Sequence, residues 1–333
     1  MRVLVTGGAG YIGSHTVAAL RLGGHEPVVL DTLEHGHPSA VPGTTIVVGD
    51  AGDRRLVRNL IATHGIEAVI HFAARKSVPE SIADPGSYFA ANVGGSLELM
   101  RAMVDGGVRH LVLSSTCAVY GTPEELPVRE SSPVRPENPY GESKLMVERM
   151  APWFELAHGL RTVVLRYFNA AGAALDGSNG EDWQGAENLV PVVLAVAGGR
   201  RDVVEIHGTD YPTPDGTAIR DYIHVEDLAD AHVRAVGHLA DGGPGVTLNL
   251  GTGRGASVNE VVAAARAATG RAIETRHGPR RPGDPAAIWA DAELAREVLG
   301  WAARHDLDAI VSSAWTWHQR HPDGHGPLAR AVA

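Results

Sequence analysis

The first half of the chain alternates short apolar runs with longer segments of helical spacing. Runs at Val3–Thr6, Pro27–Asp31, Thr45–Asp50, Ala68–Phe72, His110–Ser115 and Thr162–Phe168 are rich in β-branched residues or leucine and predict strands. Between them, Tyr11–Leu22, Asp53–Thr63 and Leu97–Val104 carry apolar residues at helical intervals. The continuous apolar character of Val28–Leu30 and Val112–Leu113 suits strands covered on both faces. This βαβαβ rhythm predicts a parallel sheet sandwiched between helices.

From about Ala170 the texture changes. Gly, Asn, Asp and Pro crowd 171–186 and 208–217, and Gly242, Gly243, Pro244 and Gly245 follow. Helical spacing continues at Leu189–Ala197, Val225–Leu239 and Val258–Ala268, with a strand expected at Val246–Leu250. The end, His321–Ala333, is rich in Pro, Gly and His and is expected to fray.

Directly after the first strand comes Gly7-Gly8-Ala9-Gly10-Tyr11-Ile12-Gly13. Glycine permits a tight turn there and lets the backbone approach a pyrophosphate, which the N–H groups of the following helix would hold. A plain strand-to-helix turn also uses glycine, but the strand before and the helix after favour a dinucleotide site. Asp31 closes the second strand, where a carboxylate accepts from ribose hydroxyls and repels a 2′-phosphate, so NAD is expected over NADP. Asp50 closes the third strand and is a candidate for the adenine end. The fold class expected is therefore α/β. A Rossmann-type doubly wound parallel sheet is expected over residues 1–170, with a second, smaller α/β substrate domain over 171–333. The segment 218–250 is ambiguous, since it could return to the first sheet.

Tyr140-Gly141-Glu142-Ser143-Lys144 sets a tyrosine and a lysine at i and i+4. Asn138 can cap a helix here and Pro139 suits its first turn, so the two side chains share a face. A tyrosine is a poor base at neutral pH. Lys144, the helix N-terminus and the positive ring of NAD would all lower its pKa. Of the 29 basic side chains only Lys76 and Lys144 are lysine, so a lysine kept at this spacing is informative. A hydroxyl from the end of an earlier strand would complete the group. Ser114–Gly121 supplies candidates, Thr116 first, although Thr116 could equally serve as a strand-end cap.

Charge and composition narrow the classes. A formal net charge of −10 argues against a nucleic-acid partner. No apolar run is long enough for a membrane span, and no basic region precedes the first apolar run as a signal peptide would require. A single cysteine, Cys117, fits a cytoplasmic address. The 17 histidines show no metal-ligand spacing, so no metal is expected, and His35 and His37 read as solvated loop residues.

These motifs resemble the extended short-chain dehydrogenase/reductases and, within them, the UDP-galactose 4-epimerases. Met1–Thr16, Val69–Ala73, Pro139–Glu148, Leu165–Asn169, Asp210–Asp230 and Arg280–Asp291 carry the resemblance, which spans both halves of the chain. It implies reversible inversion at C4 of UDP-glucose through a 4-keto sugar, with NAD tightly bound and not consumed, in a homodimer. Tyr140 would be the acid/base, Lys144 would bind the nicotinamide ribose, and Thr116 would bond the reacting 4-hydroxyl. Gly7, Gly10, Tyr11, Ile12, Gly13, Asp31, Asp50, Ala51, Phe72, Ala73, Lys76, Asn92 and Phe168 would contact NAD with the pair. Asn169, Asn188, Leu189, His207, Arg220, Arg281, Asp284 and Ile288 would hold the UDP-sugar, guanidinium forks matching phosphate.

The chain also departs from that pattern. Thr116 stands where serine is common, and Cys117-Ala118 stand where Ala-Thr is common. His207 replaces a larger aromatic ring expected on uracil, and Ile288 replaces a bulky tyrosine beside the sugar, leaving room for a 2-acetamido group. Epimerases of N-acetylhexosamine or pentose nucleotides stay open as alternatives. A dehydratase or decarboxylase is disfavoured, because Cys117-Ala118 lack the Asp-Glu pair that expels a 6-hydroxyl. A non-catalytic NAD sensor would have little reason to keep Tyr140 with Lys144.

Overall fold

The computed structural model describes residues 1–183, 186–281 and 283–326. Its centre is a seven-stranded sheet of β1 (Arg2–Thr6), β2 (Glu26–Asp31), β3 (Thr45–Val48), β4 (Ala68–His71), β5 (His110–Thr116), β6 (Arg161–Tyr167) and the strand Val246–Leu250. The order across the sheet is 246–250, β6, β5, β4, β1, β2, β3, and every pairing is parallel. The order reverses between β1 and β4, where a doubly wound sheet opens a crevice at its carboxyl edge.

Strand pleating divides the apolar residues between two layers. Val3 and Val5 pack with α1 (Tyr11–Leu22) and the helix Val225–Ala240 on one face. Leu4 packs with α2 (Arg54–His64) and the helix Gly95–Asp105 on the other. All four residues of β4 are buried, which is why the central strands read as unbroken apolar runs. Each fully buried Val or Leu contributes about 1.5–3 kcal/mol. Asp53 caps α2 by accepting from the Leu56 N–H, so that helix begins one residue later than its apolar spacing suggests.

The ambiguous segment 218–250 divides. Val246–Leu250 lies beside β6, in register from Val246 with Val163 to Leu250 with Tyr167. Ile219–Arg220 instead pairs with Ala256–Ser257 and Ala287–Ile288, and Tyr222–His224 pairs with Asn169–Ala171. The chain also returns late to the first core, where Trp301 is buried and its indole N–H donates to the Asp227 carbonyl at 2.9 Å. A separate cluster joins the helices Leu189–Ala197, Val258–Thr269 and Leu307–Arg320. Among the described residues no helix is long and apolar enough to cross a membrane.

Two expectations are corrected. The residues after the last helix do not fray through Gly326: the His325 ring stacks on His37 at 4.9 Å and lies 4.8 Å from Trp317. His37 is accordingly not a solvated loop residue, since its Nε2 also sits 3.1 Å from the Asp182 carboxylate. Ring stacking between distant segments has no local sequence signal. His35 does remain exposed, and residues 327–333 lie outside the described part.

Candidate active site

The glycine turn after β1 is shaped by close approaches. Gly7 has a left-handed φ of 71°, and a Cβ there would stand 2.7 Å from the Ala73 nitrogen at the end of β4. At Gly13 a Cβ would stand 2.2 Å from the Gly7 carbonyl oxygen. Gly10 sits at the start of α1, which has no side-chain cap and no acidic residue in its first turn. Tyr11 and Ile12 open that helix. Its N–H end therefore has room and the right polarity for a pyrophosphate, and these residues fit a dinucleotide.

Asp31 stands at the edge of the same turn. Its Oδ2 accepts from the Ala9 N–H at 3.0 Å and its Oδ1 from the Leu33 N–H at 2.9 Å. Each oxygen keeps a further lone pair for a ribose hydroxyl. Leu33 pays in backbone strain, with a φ of 59° that non-glycine residues rarely adopt. Asp50 stays apart: β3 ends at Val48, and the exposed Asp50 carboxylate accepts from the Gly52 N–H at 2.7 Å. Ala51 beside it is buried.

At the crevice, Phe72 packs on the His232 ring at 4.6 Å. Asn92 is buried and fully engaged: its Oδ1 accepts from the Arg75 N–H at 2.8 Å, and its Nδ2 donates to the Arg75 carbonyl and the Ser143 hydroxyl, both at 3.0 Å. Lys76 is exposed at the rim. Burial raises the Glu181 carboxyl, opposed by the Lys76 charge and by Asn188, whose Nδ2 donates to Glu181 at 2.7 Å. Tyr11 joins this group, its phenol raised by burial and then by Glu181, while its hydroxyl donates to the Gly172 carbonyl at 2.6 Å.

The tyrosine–lysine pair lies on the helix Pro139–His158, which Asn138 caps through its acceptance of the Gly141 N–H at 2.9 Å. A Cβ on Gly141 would stand 2.7 Å from the Ala118 carbonyl oxygen. The glycine thus lets the helix start close on the turn Cys117–Tyr120 that follows β5, bringing Tyr140 to the Thr116 hydroxyl. Lys144 is buried, and its ammonium donates to the Ser114 carbonyl at 3.0 Å. Burial lowers the ammonium to about 8, against the opposing charge of Glu148.

The phenol behaves differently from the sequence expectation. Tyr140 is half-buried at its surface, yet burial and then Tyr167 hold its hydroxyl well above the ordinary tyrosine value, with the Thr116 hydrogen bond opposing. The protein's own groups do not make Tyr140 a base. A cationic ring placed beside it is the influence left that would do so.

Arg220 and Asp284 meet in an ion pair, brought together because Ile219–Arg220 lies beside Ala287–Ile288. Asn169 adjoins them, its N–H donating to the Asp221 carbonyl at 2.9 Å. Cys117 opens the turn after Thr116; burial pushes its thiol up to about 12, with the Arg220 charge opposing. His207 ends the strand Val204–His207, and the next residue, Gly208, packs on Arg280. Arg280 stands over the Tyr211 ring at 4.3 Å, with exposed Arg281 next to it. Leu189 begins its helix beside Asn188. Ile288 is buried with Phe168, Val119 and Leu145, so the space expected from its smaller side chain is shared with a packed cluster.

Sequence reading missed the groups behind the pair. Glu148, Arg166, Ser115 and Tyr120 form a buried network, and Ser114 meets the Tyr167 hydroxyl. Glu148 carried a signal, since it continues the i, i+4 row of Tyr140 and Lys144.

The model of the family described as NAD dependent epimerase/dehydratase matches residues 3–251. The chain belongs to the NAD dependent epimerase/dehydratase family. Its similarity to other members of the family extends past that match. It is 47% identical over 328 residues to the UDP-glucose 4-epimerase of Lacticaseibacillus casei, covering 98% of this chain and 99% of that one. A UDP-glucose 4-epimerase from Brucella ovis in complex with NAD superposes with a TM-score of 0.92 at 47% identity, covering 94% of this chain and 97% of that one. The UDP-glucose-4-epimerase of Stenotrophomonas maltophila, with bound NAD and formylated UDP-arabinopyranose, gives 0.94 at 44% identity, covering 97% and 99%.

The glycine geometry generates a direct test. Gly13→Ala forces the backbone of the turn apart, so the purified variant is expected to carry about tenfold less nucleotide than the wild type. Quantifying the nucleotide released on acid denaturation checks this; an unchanged content would remove the turn from cofactor binding.

Proposed function

We propose that this chain is a UDP-glucose 4-epimerase with NAD as resident cofactor. The observation that carries the reading is the Tyr140–Lys144–Thr116 group at the end of β5, together with the Arg220–Asp284 pair. One end handles protons beside a dinucleotide crevice, and the other offers a guanidinium to a diphosphate. The relatives named above carry the same activity in their names.

What NAD would supply is a reversible hydride acceptor. Tyr140 takes the proton of the sugar 4-hydroxyl as the C4–H bond breaks, and returns a proton when that bond re-forms on the other face. Thr116 shares the 4-oxygen, and Lys144 would hold the nicotinamide ribose and offset the phenolate charge. Inversion requires the keto sugar to turn over. Arg220 and Arg281 therefore grip the diphosphate, and Asn169, Asn188 and Leu189 the nucleotide, so that the hexose is held less tightly. Gly7, Gly10, Gly13 and Asp31 would hold the far end of the dinucleotide. The division proposed is a dinucleotide unit over 1–170, completed by 225–250, and a UDP-sugar unit in the remainder. A cytoplasmic setting accords with one unpaired cysteine.

We also propose a homodimer through the helix Pro139–His158. Met146, Trp153 and Leu156 recur on its outer face, with Trp153 70% and Leu156 79% exposed. Exposed apolar residues grouped on one helix face support this reading.

Two outcomes are expected. The purified protein converts UDP-galactose to UDP-glucose with no added oxidant, and Tyr140→Phe lowers kcat by about 10²–10⁴-fold while UDP-sugar still binds. Steady-state assays and calorimetric titration check both, and near-normal turnover in the variant would take Tyr140 out of the reaction. In sedimentation, wild type runs as a dimer and Trp153→Glu as a folded monomer; a monomeric wild type would discard the interface.

A further inference from the structure

Glu148 and Arg166 form an ion pair with side chains only 6% and 8% exposed. A buried pair rarely repays its desolvation as stability, so its place in the fold calls for another explanation. The pair is closely satisfied. Arg166 Nε reaches Glu148 Oε1 at 3.0 Å and Oε2 at 3.1 Å, and its Nη2 reaches Oε2 at 2.5 Å. The Ser115 hydroxyl also donates to this carboxylate. On the far side, Arg166 Nη1 donates to the Tyr120 hydroxyl at 2.9 Å, which donates to Asn249 Oδ1 at 2.7 Å.

The consequence is that one carboxylate ties together β5, β6, the turn after β5, the strand Val246–Leu250 and the helix Pro139–His158. Three consecutive residues of β5 then divide the work. The Ser114 carbonyl receives the Lys144 ammonium, the Ser115 hydroxyl grips Glu148, and the Thr116 hydroxyl reaches Tyr140. Glu148 lies one helical turn beyond Lys144 on the same face.

We propose that Glu148, clamped by Arg166 and Ser115, is a positioning residue for the Tyr140–Lys144 pair. It fixes the strand end that receives the Lys144 ammonium and supplies the negative charge that offsets the burial of that cation. This rests on the epimerase reading of the pair, but its test does not depend on turnover. The titratable groups around the pair leave Glu148 as the counter-charge. His71 on β4 is neutral, lowered to about 3 by burial and then by Lys144. Tyr167 on β6 is also neutral, raised to about 12 by burial. Arg166 stands behind the carboxylate and adds positive charge when the carboxylate is lost.

The chain contains only two lysines, so lysine titration can be read residue by residue. Holoenzyme carrying ¹³Cε-lysine gives two side-chain resonances, and Lys76→Arg identifies that of Lys144. Glu148→Gln is expected to move the Lys144 midpoint down by about one pH unit or more, because the ammonium loses its counter-charge and faces an unpaired Arg166. Where that variant fails to fold, the double variant E148Q/R166M leaves no orphan charge, and its Lys144 midpoint is again expected to fall. A folded variant of either kind with an unmoved midpoint overturns the proposal. Failure of the wild type to epimerise UDP-galactose would overturn the epimerase reading instead, and the titration would still decide whether Glu148 governs Lys144.

Discussion

A buried cation is the constraint on which this site depends. Lys144 is buried with one backbone carbonyl as hydrogen-bond partner, and burial alone would drive it towards neutrality. The Glu148 charge opposes that loss, and the positioning role proposed for it asks for a fixed strand end and a helix that cannot shift. The fold supplies each through a different element: β5 gives the carbonyl, β6 locks the carboxylate, and Gly141 lets the helix close on the turn after β5. The doubly wound sheet is the frame that brings β5, β6 and the glycine turn after β1 to one edge.

The same burial works against Tyr140, whose hydroxyl is held above its ordinary value. In the proposed reaction a tyrosine kept neutral until a cationic cofactor is beside it would also be a safeguard, since proton abstraction would then depend on a loaded site. The nucleotide end obeys other rules. Arg281 is exposed, and Arg220 and Asp284 meet in an ion pair. A rigid, dry proton site beside a polar anchor is the combination that an inverting sugar needs.

Much of this was legible in the chain because the controlling signals are local. Glycine spacing, strand runs and the capped Tyr140–Lys144 helix depend on residues within a few positions of one another, and their elements lie within a residue or two of expectation. The strand Val246–Leu250 was legible as a strand, and its return to the first sheet only as one of two options, since its partner β6 is about eighty residues away. The Glu148–Arg166 network and the His37–His325 stack were illegible for the same reason: both join distant segments by side chains alone. Tyr140 misled because its neighbours by sequence are charged, whereas its environment in space is dominated by exclusion of water.

The proposed reaction is carbon–hydrogen chemistry in which Tyr140 moves only the oxygen-bound proton. UDP-glucose deuterated at C4, turned over in ordinary water by the purified protein, tests it most directly. The deuterium is expected at C4 of the UDP-galactose formed, undiluted over many turnovers, as mass spectrometry and NMR would record. Loss of that deuterium to solvent would mean that C4 exchanges with water, and the chemistry assigned to this site would be wrong.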